Sequence, residues 1–116
     1  MSRAAQGLRA WLLQRITAVY LAIYIVVTVV YLLSREMVDF STWHNWIASP
    51  WMGIATTLFT LALLLHVWVG IRDVLIDYVH RVSLRLLFMV ATALVLLGSL
   101  LWVTRALTLA AMQGEI

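Results

Sequence analysis

Three long apolar stretches divide the chain, each about as long as a helix that crosses the hydrocarbon core of a bilayer. They cover roughly residues 16–34, 51–71 and 86–104. An α-helix needs about 20 consecutive apolar residues to span a membrane. The pattern therefore predicts an all-α integral membrane protein of one domain (1–116) with three transmembrane helices. The second helix is expected to continue past the hydrocarbon edge to about residue 78.

The composition agrees with a membrane location and narrows the chemistry. Of the 116 residues, 65% are hydrophobic and only 11% are charged, unlike a soluble domain. The net charge of +3 is small and dispersed, so we expect no nucleic-acid partner. The absence of cysteine excludes disulfides, cysteine-ligated iron–sulfur clusters and a haem attached through a C-x-x-C-H motif. The N-terminus lacks a short apolar run that ends in small residues, so we expect no cleaved signal peptide.

The charged residues predict how the helices are oriented. Arginines precede the first apolar stretch and lie between the second and third; they are Arg3, Arg9, Arg15, Arg72, Arg81 and Arg85. The other loop instead carries Arg35 against Glu36 and Asp39, together with several tryptophans typical of an interfacial segment. Since positive charge favours the cytoplasmic side, we predict that the N-terminus and the second loop face the cytoplasm or its topological equivalent, and that the first loop and the C-terminus face outward.

A single histidine, His66, lies in the middle of the second apolar stretch. An ionisable residue at membrane depth needs a partner that replaces its hydration, so it indicates a functional site. Imidazole is a common ligand of iron, and two imidazoles that face each other in a helix bundle can hold a haem. Gly70, four residues further on, would let another helix or a flat macrocycle approach closely.

Two polar residues follow on the same helix. His66 and Asp77 are eleven residues apart, which is about three turns, so they share a face about 16 Å apart along the axis. Tyr78 lies next to Asp77. A tyrosine hydroxyl can donate to a quinone carbonyl, and a neighbouring carboxylate can orient it or relay protons. Arg15, at the same end of the first stretch, can bind carboxylates such as haem propionates.

These residues resemble those of a known family. Residues 66–79 read H-V-W-V-G-I-R-D-V-L-I-D-Y-V, similar to the H-x-W-x-G-x-x-x-V-L-x-D-Y-V signature of the succinate dehydrogenase hydrophobic membrane anchor, the D-type subunit of respiratory complex II. Residues 15–18, R-I-T-A, resemble the family's R-x-T-A at the start of its first span. The likeness covers about residues 11–105.

The resemblance implies a set of functions and partners. It implies that His66 is an axial ligand of haem b, that Tyr78 binds ubiquinone with Asp77 beside it, and that Arg15 lies near the haem propionates. It also implies pairing with a second three-helix anchor, a C-type cytochrome b556-like subunit that supplies the other haem ligand. The remaining partners would be an iron–sulfur subunit and a flavoprotein subunit, with lipid around the anchor. The chain itself would carry no succinate chemistry.

Each of these residues also has a simpler interpretation. His66 can be a structural residue that hydrogen-bonds to a neighbouring helix, and Tyr78 can belong to the aromatic belt at the interface. Asp77 can pair with Arg81 across one helical turn. Arg15 can serve only as a topology determinant whose charge reaches the headgroups.

Two other classes of protein remain open on the residues alone. If every polar side chain only packs helices, the chain is a structural subunit or assembly factor without a cofactor. A small-molecule transporter fits less well, because a translocation path would need more deep polar residues than His66.

Overall fold

Four helices make up the part of the chain described by the computed structural model, residues 3–114. They are α1 (Arg3–Leu33), α2 (Phe40–Ala48), α3 (Pro50–Tyr78) and α4 (Val82–Gly114). Three of these helices, α1, α3 and α4, are long and apolar enough to cross a membrane. The predicted all-α fold with three transmembrane helices is therefore confirmed.

The helices are longer than the apolar stretches from which they were predicted. Helix α3 has 29 residues, about 44 Å at 1.5 Å per residue, which matches the full bilayer with its headgroups rather than the hydrocarbon core alone. It ends at Tyr78, close to the expected limit. Helix α1 ends at Leu33, within one residue of the approximate limit of the first apolar stretch.

Helix α2 is the short interfacial segment in the tryptophan-rich loop. Asp39 caps it, accepting a hydrogen bond from the Thr42 N–H at 2.8 Å. Hydrogen bonds, chiefly from Thr42 and then from Ser41, lower the pKa of Asp39 below its usual value of 3.8. The Trp46 ring of α2 stacks on Tyr31 of α1, with centroids 4.1 Å apart. Helix α2 is thus fixed at its start and against the end of α1.

Helix α3 lies in the centre, with α1 on one side and α4 on the other. Within the described range, the backbones of α1 and α4 pack against α3 and do not approach each other closely. Hydrogen bonds join α1 to α3: the Tyr20 hydroxyl donates to the Ala55 carbonyl at 2.7 Å, and the Tyr24 and Thr56 hydroxyls are 2.7 Å apart. Such bonds between membrane helices contribute about 0.6 kcal/mol each on average. They fix the register of α1 against α3.

The three long helices bury little of their own surface. Within the most apolar window of each, 11% of α1, 11% of α3 and none of α4 is buried. Apolar side chains on the outside are compatible with lipid. A polar group on the outside at the same depth would need cover from another protein or a cofactor.

Candidate functional site

The membrane-depth histidine contacts the neighbouring helix through one ring nitrogen. His66 is half-buried on α3, and its Nδ1 lies 3.1 Å from Oγ1 of Thr17 on α1. Thr17 is among the most buried residues of the chain, with 5% of its surface exposed. Among the described residues, none forms a hydrogen bond with Nε2 of His66. The ring is therefore held on one edge and free on the other.

The Thr17 hydroxyl also contacts its own helix. Its Oγ1 donates toward the carbonyl oxygens of Leu13 at 2.8 Å and Gln14 at 3.1 Å. A threonine in a helix commonly bonds to the carbonyl four residues earlier. The hydroxyl oxygen of Thr17 thus contacts two backbone carbonyls of α1 and the imidazole of His66.

An open cleft of about 430 Å³ adjoins His66 on the side of the α1–α3 pair. It is mostly apolar and is lined by Gln14, His66, Val67, Gly70, Ile71, Val74 and Leu75. At Gly70 an added Cβ would meet Nε2 of Gln14 at 3.5 Å, an ordinary contact. The amide oxygen Oε1 of Gln14 is buried without a hydrogen-bond partner among the described residues. The cleft therefore has apolar walls with an imidazole, and the unpaired amide oxygen of Gln14 lies buried beside it.

Arginine side chains lie at the next cleft along α1. This second cleft has a volume of about 420 Å³, and Gln14 is shared between the two; its lining includes Arg15, Arg72 and Asp73. Arg15 is exposed, and its guanidinium carbon lies 5.6 Å from the centroid of the Trp11 ring. Arg72 forms an ion pair with Asp73 at 3.3 Å. The cationic groups thus lie toward one end of the histidine cleft.

Asp77 and Tyr78 occupy the last turn of α3, away from His66. Both are exposed, Tyr78 by 78%, and neither has a hydrogen-bond partner within the described range. Arg81 lies outside the helices, since α3 ends at Tyr78 and α4 begins at Val82. The alternative interpretation of Asp77 as a helical partner of Arg81 is wrong, because the helix stops before a pair across one turn can form.

The turn after Tyr78 is held by an arginine of α4. The Nε and Nη2 atoms of Arg85 both donate to the Val79 carbonyl, at 3.1 and 3.0 Å, and the Val79 N–H donates to the Leu75 carbonyl at 3.0 Å. This double hydrogen bond links Val79, the residue after Tyr78, to the start of α4. The exposed Tyr78 is therefore followed by a defined turn.

The site residues predicted from sequence fall into two groups. The first group is His66 on α3 and Arg15 on α1, which lie at the clefts formed where α1 packs against α3. The second group is Asp77 and Tyr78, which lie at the end of α3. Sequence reasoning missed Thr17, Gln14 and Arg85 as neighbours of these groups. Thr17 carried one usable signal, a hydroxyl inside an apolar stretch just after Arg15.

Comparison with known proteins identifies related sequences. Residues 1–111 match the family described as succinate dehydrogenase/fumarate reductase transmembrane subunit. The succinate dehydrogenase hydrophobic membrane anchor subunit of Coxiella burnetii (strain RSA 493 / Nine Mile phase I) is 32% identical over 105 residues, which cover 90% of this chain and 91% of that protein.

Proposed function

The chain belongs to the family of succinate dehydrogenase/fumarate reductase transmembrane subunits, and we propose that this membrane anchor helps to bind haem b and ubiquinone. The observation that carries the proposal is His66 itself. It is an imidazole at membrane depth with one nitrogen held by Thr17 and the other facing no described protein partner. An ionisable side chain at membrane depth that has a ring nitrogen without a protein partner is a candidate ligand, because that nitrogen can bind a metal.

The residues around His66 suit a haem. The cleft walls are apolar, as the faces of a macrocycle require, and Arg15 and Arg72 can bind the negatively charged propionates. His66 would be one axial ligand, and a bound haem b would supply one-electron transfer. The absence of a second histidine near His66 in the described chain favours a ligand from a companion subunit, the C-type cytochrome b556-like anchor.

The exposed surface supports the same partnership. Helices α1 and α4 leave an open side on α3, and less than an eighth of each span is buried. His66 would face hydrocarbon there unless another helix bundle covers it. We propose that the companion anchor covers this side, that lipid covers the rest, and that an iron–sulfur subunit and a flavoprotein subunit dock on the end that carries Tyr78.

The arginines favour a cytoplasmic location for that end. Arg9 and Arg15 of α1, Arg72 of α3 and Arg85 of α4 all lie toward the end of the bundle where α3 finishes, because neighbouring helices run in opposite directions. Positive charge in short loops and at helix ends favours the cytoplasm. The proposed orientation places the N-terminus inside and the C-terminus in the periplasm of a bacterial inner membrane.

Tyr78 and Asp77 would form one wall of the quinone pocket. Quinone reduction adds two electrons and two protons, so the ring oxygens need a donor and a proton source. The Tyr78 hydroxyl can donate to a quinone carbonyl, and the Asp77 carboxyl beside it can pass a proton from water. The exposure of both side chains leaves them available to a pocket that the other subunits complete.

The quinone assignment is tested by Tyr78→Phe in the assembled complex. The variant keeps the ring but loses the donor, so we expect succinate–quinone activity to fall about tenfold to a hundredfold, which corresponds to the roughly 1–3 kcal/mol lost when one hydrogen-bond partner is removed. Succinate oxidation with an artificial acceptor, which bypasses the membrane site, should stay unchanged.

The matched control for this experiment is Tyr31→Phe. Tyr31 lies at the opposite end of the bundle, where its ring stacks on Trp46, and the variant should leave both activities unchanged. Equal loss of both activities in Tyr78→Phe, or full quinone activity, would contradict the assignment.

A further inference from the structure

We propose that Thr17 is a positioning residue that selects the tautomer of His66, with the proton on Nδ1 and the lone pair on Nε2. The inference rests on the proposed role of His66 as a haem ligand. It adds a residue on a different helix that makes one particular nitrogen available to iron. Thr17 itself touches neither the iron nor the quinone in this scheme.

The tautomer follows from the number of hydrogens at the Thr17 hydroxyl. Oγ1 has one hydrogen, and two backbone carbonyls, those of Leu13 and Gln14, lie within 2.8 and 3.1 Å. Carbonyl oxygens can only accept, and the Leu13 carbonyl lies closer to Oγ1, at 2.8 Å, than Nδ1 of His66 does, at 3.1 Å. In the proposed arrangement the hydroxyl hydrogen is directed to its own helix, and Oγ1 faces His66 with a lone pair.

The imidazole must then donate. Nδ1 lies 3.1 Å from Oγ1, a distance at which an N–H group forms a hydrogen bond with an oxygen. A neutral imidazole has one N–H, so a proton on Nδ1 leaves the lone pair on Nε2. The nitrogen without a partner among the described residues is thus the one that is chemically able to bind a metal.

The surroundings of Thr17 make this contact a rigid one. Thr17 is 5% exposed, so water does not compete for its oxygen, and its β-branched side chain has few rotamers in a helix. Tyr20, one turn further on, bonds to the Ala55 carbonyl of α3. The helix that carries Thr17 is therefore held in register with the helix that carries His66.

A hydrogen bond at Nδ1 also affects how strongly His66 would bind iron. Partners of the remote nitrogen orient a histidine ligand and make it a stronger electron donor, and their loss lowers metal affinity about 10- to 100-fold. A stronger donor stabilises ferric over ferrous iron. Loss of the Thr17 oxygen should thus weaken haem binding and raise the reduction potential of the haem.

The test uses Thr17→Val in the assembled complex, since valine has the same shape but no hydroxyl. We expect haem retention to weaken about tenfold, the lower end for a neutral acceptor, and the haem potential to rise. Thr17→Ser keeps the oxygen and should behave like the unaltered protein. If the valine variant does not assemble, Thr17→Ala compared with Thr17→Ser gives the same readout without a buried methyl clash.

The control is Thr60→Val on α3. Thr60 is also buried, with 8% exposure, but its hydroxyl donates only to the Thr56 carbonyl of its own helix. The same change of shape should therefore leave haem retention and potential unaltered. Equal effects of Thr17→Val and Thr60→Val would show a packing role and overturn the proposal, as would a Thr17→Val haem identical to that of the unaltered complex.

Different results would contradict the role of His66 and the role of Thr17. If the unaltered complex contains no haem that depends on His66, the proposed function fails. If haem is present and depends on His66 but Thr17→Val changes neither its retention nor its potential, only the role of Thr17 fails.

Discussion

Removing the guanidinium of Arg85 should loosen the turn that carries Tyr78. Arg85 makes two hydrogen bonds to the Val79 carbonyl, at 3.1 and 3.0 Å. Arg85→Met keeps an unbranched side chain that can pack along α4 but removes both donors. The free carbonyl then has to find water, and the link between the end of α3 and the start of α4 is lost.

The size of the effect follows from the contacts. A hydrogen bond to a charged group contributes about 1.5–3 kcal/mol. Arg85 is only half-buried, so water competes and we take the lower limit, about 1.5 kcal/mol for the pair. Since 1.4 kcal/mol corresponds to a factor of ten, the turn should open about tenfold more often.

Hydrogen exchange measures this opening directly. The Val79 amide bonds to the Leu75 carbonyl at 3.0 Å, so its exchange in the assembled complex should become about tenfold faster in Arg85→Met. The efficiency of quinone reduction should fall by at most the same factor, while succinate oxidation with an artificial acceptor stays unchanged. Arg81→Met is the control, because Arg81 lies in the same turn and its side chain makes no hydrogen bond within the described range, while its backbone carbonyl, which accepts from the Arg85 N–H, is kept.

An unchanged Val79 exchange rate in Arg85→Met would refute the reasoning. So would an equal acceleration in Arg81→Met, since that result would trace the effect to net charge rather than to the two hydrogen bonds.

Two further predictions concern α2 and the histidine cleft. Hydrogen bonds to the Asp39 carboxylate lower its pKa, so the cap of α2 should be complete above about pH 4 and should be lost as the pH falls through the lowered pKa. At neutral pH, Asp39→Ala should speed hydrogen exchange of the Thr42 amide, whereas Asp39→Asn should not. Equal exchange rates of the Thr42 amide in these two variants would contradict the cap. Gly70→Ala should leave assembly and haem content unchanged, because the added Cβ would lie 3.5 Å from Gln14, an ordinary contact. Gly70→Leu should instead fill the cleft and expel haem. Haem retained in the Gly70→Leu complex would contradict the placement of haem in this cleft.

The membrane helices could be predicted from the sequence because the bilayer imposes a length. Apolar stretches of about 20 residues have few alternatives in lipid, since every backbone group must bond within a helix. The end of α3 at Tyr78 was also expected. The start of α1 at Arg3 and the end of α4 at Gly114 were not, because charged and polar side chains are tolerated in the headgroup layer while the backbone remains helical.

The position of Tyr78 at the end of α3 was also accessible from sequence. A fixed helical rise converts the spacing from His66 into a distance along the axis. The contact between His66 and Thr17 was not accessible. It depends on the register between α1 and α3, and helices that are apolar on most sides carry no periodic signal for which faces meet.

The hydrogen bonds of Arg85 depend on the path of the short turn between α3 and α4. That path is set by where each helix stops, and the boundaries at Tyr78 and Val82 are not encoded by a proline or glycine. The partner of Arg85 therefore emerges only once both helices are in place.

The most direct test of the central claim is the reduced-minus-oxidised spectrum of the purified complex with His66→Leu in this chain. His44→Leu and His80→Leu serve as controls, since His44 lies on α2 and His80 in the turn after α3. We predict a low-spin haem b spectrum in the unaltered complex and in both controls, and its loss or conversion to a five-coordinate form in His66→Leu. An unaltered haem spectrum in His66→Leu, or no haem in any of the complexes, would contradict the account.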